Sequence, residues 1–152
     1  MFKKVIGLLT LLYSFYLFLY LKYNNTTFIL VYHQIDNYKG GLKSLYVKPE
    51  VFEKQMKTLY LKGYKSITLD ELKYRIENKL PLKKVFCITF DDGYKNLENA
   101  YSILKKYGFK ATVYIHVKAS IDGYYSYPKM PKVDMISINE IKNMMDIFEV
   151  GS

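Results

Sequence analysis

The sequence predicts an α/β domain on a mainly parallel sheet, preceded by one membrane-anchoring helix, and three observations predict it. From Thr27 onward short apolar runs alternate with amphipathic helical patterns, the arrangement that gives parallel strands with right-handed crossovers. Helix caps, prolines and glycines fall between those runs, where turns belong. Ahead of them, a basic head is followed by a long apolar stretch.

Met1-Phe2-Lys3-Lys4 is that head, and Val5 to Leu21 is apolar apart from Thr10, Ser14 and tyrosines. A helix across the hydrocarbon core needs about 20 residues, with about 17 at the lower limit, and Tyr20 and Tyr23 suit the interfacial belt. A cleaved signal peptide is the competing reading. The run exceeds the usual ~7–15-residue apolar core of a signal and lacks a small-x-small pair near its end, which favours an uncleaved anchor over residues 1–23. Lys3 and Lys4 outweigh Lys22, so the N-terminus is expected in the cytoplasm and residues 24–152 outside the plasma membrane, with secretion as the alternative.

Beyond the polar link Asn24-Asn25-Thr26, residues Thr27 to His33 read as the first strand. Pro49 opens a helix in which Phe52, Met56, Leu59 and Tyr60 recur at helical spacing, and Gly63 ends it. A brief strand at Lys65 to Ile67 leads into Thr68-Leu69-Asp70-Glu71, read as a capping box for a helix running to about Asn78. After Pro81 comes the strongly apolar strand Val85 to Phe90. A helix is expected from Tyr94 to Tyr107, with Leu97, Ala100, Tyr101 and Leu104 on one face and Gly108 as terminator. Lys110 to Val117 reads as the next strand, and Lys118 to Asp134 as a long loop rich in tyrosine and proline (Tyr124, Tyr125, Tyr127, Pro128, Pro131). Ser137-Ile138-Asn139-Glu140 is a second capping box and starts the last helix. About five strands are visible, fewer than a closed barrel of ~250 residues needs, so unpaired edges and a tendency to aggregate are expected.

The chemistry sits in Thr89-Phe90-Asp91-Asp92-Gly93-Tyr94. Two adjacent carboxylates follow an apolar strand, and side chains alternate across a strand, so the pair can serve different partners, one a metal and the other a water beside it. Gly93 permits a sharp turn that would bring a helix N-terminus close to the carboxylates. The plainer alternative is that one aspartate caps the helix and Gly93 makes the turn.

This segment, together with Asn99-Ala100-Tyr101, Ile103-Leu104-Lys105-Lys106-Tyr107-Gly108 and Lys110-Ala111-Thr112-Val113-Tyr114, resembles the polysaccharide deacetylase (NodB-homology) family. The resemblance extends over about residues 28 to 152, and Tyr32-His33 is similar to the first strand of members acting on poly-N-acetylglucosamine or peptidoglycan. It implies a distorted (β/α) barrel of the NodB-homology type, here incomplete, and metal-dependent hydrolysis of the N-acetyl amide of a cell-envelope polysaccharide. Carried over, Asp91 is the general base and Asp92 a ligand of a divalent metal, zinc by family precedent. His33, Gly93 and Tyr94 are expected beside the site, and His116 in a packed or solvent-facing role. The family's other metal ligands are histidines of a His-(Ser/Thr)-x-x-His motif after a strand reading like Glu149-Val150-Gly151-Ser152. The expectation is therefore an N-terminal deacetylase portion, inactive by itself for want of ligands.

The rival from another class is a non-catalytic, membrane-tethered remnant or carbohydrate-binding module. A net charge of +9 fits work beside anionic lipids and wall polymers, though it also describes a plain solvated surface. No basic-aromatic pattern predicts a nucleic-acid partner, and no glycine-rich phosphate cradle supports a phosphotransferase. The single cysteine, Cys87, lies in an apolar strand and is read as buried and inert.

Overall fold

The computed structural model of the protein describes residues 2–126 and 132–151. The expected N-terminal helix is present as α1, Phe2–Asn24. Leu9, Leu11, Leu12, Phe15 and Phe18 all lie exposed along it. Among the described residues no helix is long and apolar enough to cross a membrane, so the spanning segment expected at 5–21 is not confirmed.

A five-stranded sheet forms the centre of the remaining chain. Its strands are β1 (Ile29–Tyr32), β4 (Lys65–Ser66), β5 (Val85–Phe90), β6 (Ala111–Tyr114) and β9 (Phe148–Gly151). All of its pairings are parallel: β1 with β5, β5 with β6, β6 with β9, and β4 with the first residues of β5. The registers Tyr32 with Phe90, Phe90 with Val113, and Val113 with Val150 form one rank across the sheet. The following residues, His33, Asp91, Tyr114 and Gly151, therefore share its C-terminal edge. The sheet is open among the described residues: β1 and β9 are its outer strands, and Ile29, Val31 and Val150 are exposed there.

Every residue of β5 is buried, as expected for a parallel strand covered on both faces. Phe86, Ile88 and Phe90 belong to the main core with Phe52 and Met56 of α2 (Pro49–Leu61), Leu104 of α4 (Leu97–Tyr107) and Phe148 of β9. The rings meet edge to face, as in Tyr32 against Phe52 at 4.9 Å and Phe86 against Phe109 at 5.2 Å. Full burial of each such side chain contributes roughly 1.5–3 kcal/mol.

Helix α3 (Leu69–Glu77) starts at Thr68, whose hydroxyl accepts from the Glu71 backbone N–H at 3.3 Å. The Glu71 carboxylate accepts from Arg75 Nε at 2.7 Å, so an ion pair one turn ahead occupies the group expected to close that capping box. The second box is complete: Ser137 and Glu140 satisfy each other's backbone at the start of α6 (Ile138–Lys142).

Two expectations are corrected. The helix placed at Tyr94 begins at Leu97, with Asn96 as N-cap. The Gly93 carbonyl accepts from Ile136 N–H, Lys95 N–H donates to the Asp134 carbonyl, and Tyr94 bridges Met135, so these backbone groups serve a sheet-like clasp instead of a helix. The segment expected as a long loop carries α5 (Val117–Asp122) and an antiparallel pair, β7 (Tyr124–Tyr125) with β8 (Val133–Asp134). Tyr127, Pro128, Pro131 and Ser152 lie outside the described residues. A further small parallel pair, β2 (Gln34–Ile35) with β3 (Tyr46–Val47), has no counterpart in the sequence reading.

Candidate active site

The two aspartates are held by opposite neighbours. Asp91 N–H donates to the Tyr32 carbonyl at 2.9 Å, extending the β5 ladder toward β1. The Asp92 carbonyl accepts from His116 N–H at 3.3 Å, beyond the end of β6. Asp92 takes φ 72° and so does Gly93, a left-handed pair that turns the chain out of the strand. Aspartate tolerates that conformation better than most side chains but at a cost, and such residues concentrate at functional sites. Gly93 is also needed for space: a Cβ there would lie 3.1 Å from Ile115 Cγ2 and 3.3 Å from Ile115 Cα.

His33 Nε2 lies 3.9 Å from Asp91 Oδ2, within ion-pair reach and outside hydrogen-bond distance. The side chains are 29% and 40% exposed, open enough to meet a substrate. His33 and Asp91 thus stand side by side at the C-terminal edge of the sheet. Tyr94 is buried with Ala119 and Met135 in a second small core, and together with Asp92, His116 and Tyr125 it lines a small pocket behind the acidic pair. His116 is packed: its Nδ1 accepts from Ala119 N–H at 3.3 Å as the cap of α5, and its ring meets Tyr125 at 4.9 Å. Neither aspartate caps a helix, since that position belongs to Asn96, and the helix terminus expected against the carboxylates starts further along the chain.

Among the described residues no group of three or more His, Cys, Asp or Glu side chains could hold a metal ion. A catalytic zinc site takes three protein ligands and keeps one position open, so the residues present do not fit such a centre by themselves. Cys87 is no candidate ligand: burial pushes its thiol up to about 11 and its sulfur faces the Thr68 carbonyl, the environment of an inert thiol.

Two features of the edge were not anticipated. Tyr114 stands beside Gly151 in the β6–β9 register and is partly exposed. Gln34, directly after His33, is a buried polar residue whose Oε1 accepts from Asn96 Nδ2 at 3.0 Å. The signal for the second was present as a glutamine and two asparagines placed shortly after the strands that end at Tyr32 and Phe90.

Comparison with known proteins agrees with this geometry. Residues 78–145, which include β5, both aspartates and α4, match the polysaccharide deacetylase family model. A poly-β-1,6-N-acetyl-D-glucosamine N-deacetylase of Staphylococcus aureus is 39% identical over 105 residues, 68% of this chain and 34% of that protein. YxkH of Bacillus subtilis, a candidate polysaccharide deacetylase, is 44% identical over 89 residues, 57% of this chain and 30% of that protein. The chain thus spans about a third of the length of the curated relatives it matches. Among solved structures, a polysaccharide deacetylase from Bacillus cereus superposes with a TM-score of 0.63 at 35% identity, covering 83% of this chain and 38% of that one. The Streptococcus pyogenes deacetylase PplD, in complex with acetate, gives a TM-score of 0.67 at 28% identity, covering 82% and 54%. With an acidic pair on the edge of a parallel sheet and these matches along the same stretch, the chain belongs, over that part of its length, to the polysaccharide deacetylase (NodB-type) family.

Proposed function

We propose that this chain carries the acidic part of a site that hydrolyses the N-acetyl amide of a cell-envelope polysaccharide, an N-acetylglucosamine polymer or peptidoglycan. One observation carries the reading: Asp91, partly exposed, lies beside His33 on the C-terminal edge of the sheet, inside the stretch that matches deacetylases. In this reading the Asp91 carboxylate takes a proton from the attacking water. Water oxygen bonds to the acetyl carbon, the carbon–nitrogen bond breaks, and the nitrogen leaves as the protonated sugar amine with acetate as co-product. Asp92, turned away from the strand axis by its left-handed backbone, contributes one carboxylate toward a divalent metal that side chains outside the described set must complete. With no complete ligand set among the described residues, the chain alone is expected to release no acetate.

The location belongs to the same proposal. Helix α1 attaches the protein to the plasma membrane, with Lys3 and Lys4 on the cytoplasmic side and the sheet outside. What supports this is the apolar side chains exposed along α1.

The test is a chimaera in which residues 28–151 replace the matching segment of the Staphylococcus aureus N-deacetylase. It should release acetate from β-1,6-linked N-acetylglucosamine oligomers, and Asp91→Asn within it should abolish that release. Undiminished release from the Asp91→Asn chimaera would remove the proposed base.

A further inference from the structure

The N-terminal edge of the sheet, opposite the edge that carries Asp91, collects lysine. The segments leading into β4, β5 and β6, residues 61–66, 77–84 and 105–110, hold eight lysines against one acid, Glu77. The fold brings them together: Lys65 is the register partner of Val85, its N–H donates to the Lys84 carbonyl at 2.9 Å, and Lys110 N–H donates to Ser66 Oγ. Lys105 and Lys106 are taken up by Asp146 at 3.1 Å and Glu53 at 2.6 Å. Lys62, Lys65, Lys79, Lys83 and Lys84 are exposed and form no ion pair among the described residues. Near the Asp91 edge, by contrast, Lys39 pairs with Asp36 at 2.6 Å and Lys95 with Glu98 at 3.3 Å.

The backbone presents these side chains at a cost. Lys79 and Lys84 take φ 53° and 58°, and with Asp92 they are the only non-glycine residues at positive φ among the described residues. Glycine would hold either turn with less strain, and strained positions concentrate at functional sites. Leu61 and Leu80, next to Lys62 and Lys79, are exposed as well. Leucine beside lysine suits the boundary between acyl chains and headgroups, where the apolar side chain enters and the ammonium stays with the phosphates.

Two hydrogen bonds fasten this face to the end of α1. Leu82 N–H donates to Asn25 Oδ1 at 2.6 Å, and Thr27 Oγ1 donates to the Val85 carbonyl at 2.8 Å. A bilayer that takes up the apolar side chains exposed along α1 therefore meets the lysine loop at headgroup depth. An anionic polymer in solution would use the same charges but would need neither this placement nor the two leucines.

We infer that the N-terminal edge of the sheet is a docking surface for anionic phospholipid headgroups, with Lys62, Lys79 and Lys83 among its contacts, and that it turns the Asp91 edge away from the membrane. This surface goes beyond attachment by α1. It acts through charge and sets orientation, whereas α1 acts through burial of apolar side chains.

Flotation of the full chain with vesicles of phosphatidylcholine alone, or of an equimolar mixture with phosphatidylglycerol, tests it. Each lysine near an anionic surface contributes about fivefold to binding, so the wild type should partition at least about tenfold more strongly onto the mixed vesicles. The combined variant Lys62→Gln, Lys79→Gln, Lys83→Gln should lose at least about tenfold on the mixed vesicles and nothing on phosphatidylcholine. The three side chains are exposed, so the variant should keep the wild-type melting temperature. The sequence holds no tryptophan, so Leu80→Trp reports depth without background. Its fluorescence should be quenched by mixed vesicles brominated near the headgroups, and that of Tyr38→Trp, in the loop after β2 toward the opposite edge, should not. Equal partitioning of variant and wild type onto mixed vesicles, or equal quenching of the two tryptophans, overturns the surface. Binding to soluble polyphosphate that depends on the three lysines, with no gain on mixed vesicles, overturns it in favour of an anionic polymer. Absence of binding to phosphatidylcholine alone, with lysine-dependent binding to mixed vesicles, overturns attachment by α1 and leaves the surface standing.

Discussion

The ring of Tyr114 lies so close against Gly151 on the neighbouring strand that a Cβ at that glycine would fall 2.6 Å from Cε1 and 2.8 Å from Cδ1. The two residues are partners in the β6–β9 register, so the missing side chain on one strand makes room for the ring of the other. Gly151→Ala should therefore destabilise the protein by about 1–3 kcal/mol through overpacking. Adding Tyr114→Ala should recover part of that loss, because residues in direct contact do not act additively. Urea unfolding of the two single variants and the double variant checks this. Strictly additive losses would mean that the ring moves aside freely.

Gly93 and Asp92 share φ 72° but should respond in opposite directions. Gly93→Ala meets both an unfavourable backbone and the Ile115 side chain and main chain, and should cost about 2–4 kcal/mol. Asp92→Gly relieves a left-handed non-glycine residue and should raise stability by up to about 1 kcal/mol, less the added freedom of the unfolded chain. If Asp92→Gly destabilises instead, the aspartate side chain holds the turn and is not merely tolerated there. Thermal melting of both variants distinguishes these outcomes.

The parts of the fold that could be read from the sequence were those dictated by local pattern. Val85 to Phe90 is apolar throughout and bounded by turn residues, and it forms β5 with those limits. Pro49 and Ser137 mark helix starts by capping and by fixed φ, which act within one turn. The helix expected at Tyr94 was displaced because Gly93, Tyr94 and Lys95 give their backbone bonds to residues 134–136, a contact across some forty positions that no local propensity encodes. A different reason hid α5: its cap is a histidine accepting through its ring nitrogen from the Ala119 N–H, where serine, threonine, aspartate or asparagine is the usual signal. At the site, the adjacency of Asp91 and Asp92 was visible as sequence. Their separate tethers to Tyr32 and His116, and the meeting of Gln34 with Asn96, arise only when parallel strands bring their ends together.

Glu140 predicts a pH response. Its carboxylate is lowered to about 2 from the ordinary 4.5, first by the hydrogen bond from Lys95 and then by the bonds from Ser137. A depressed carboxylate stabilises the fold fully above its unfolded pKa, and that contribution fades as pH falls through the folded value. The window therefore runs from about pH 4.5 down to about 2. Since the side chain is 35% exposed, screening limits the effect to about 1 kcal/mol. Glu140→Gln should be less stable than wild type at pH 7, and the difference should close by pH 2, as read from urea midpoints. A gap that persists at pH 2 would assign the contribution to packing instead of charge.

The outer face of β1 gives the last prediction. Ile29 and Val31 are 47% and 57% exposed on a strand that pairs only with β5 among the described residues. An apolar edge with free backbone groups is a template for pairing with another chain, and natural proteins blunt such edges with lysine. Val31→Lys puts a charge on the exposed face without touching the core, where Leu30 and Tyr32 point the other way. It should leave unfolding midpoints within about 0.5 kcal/mol of wild type and slow the growth of light scattering in concentrated samples of the protein without α1. Unchanged scattering kinetics would shift the aggregation surface from β1 to the β9 edge, where Val150 is exposed, and Val150→Lys is then the variant that should suppress it.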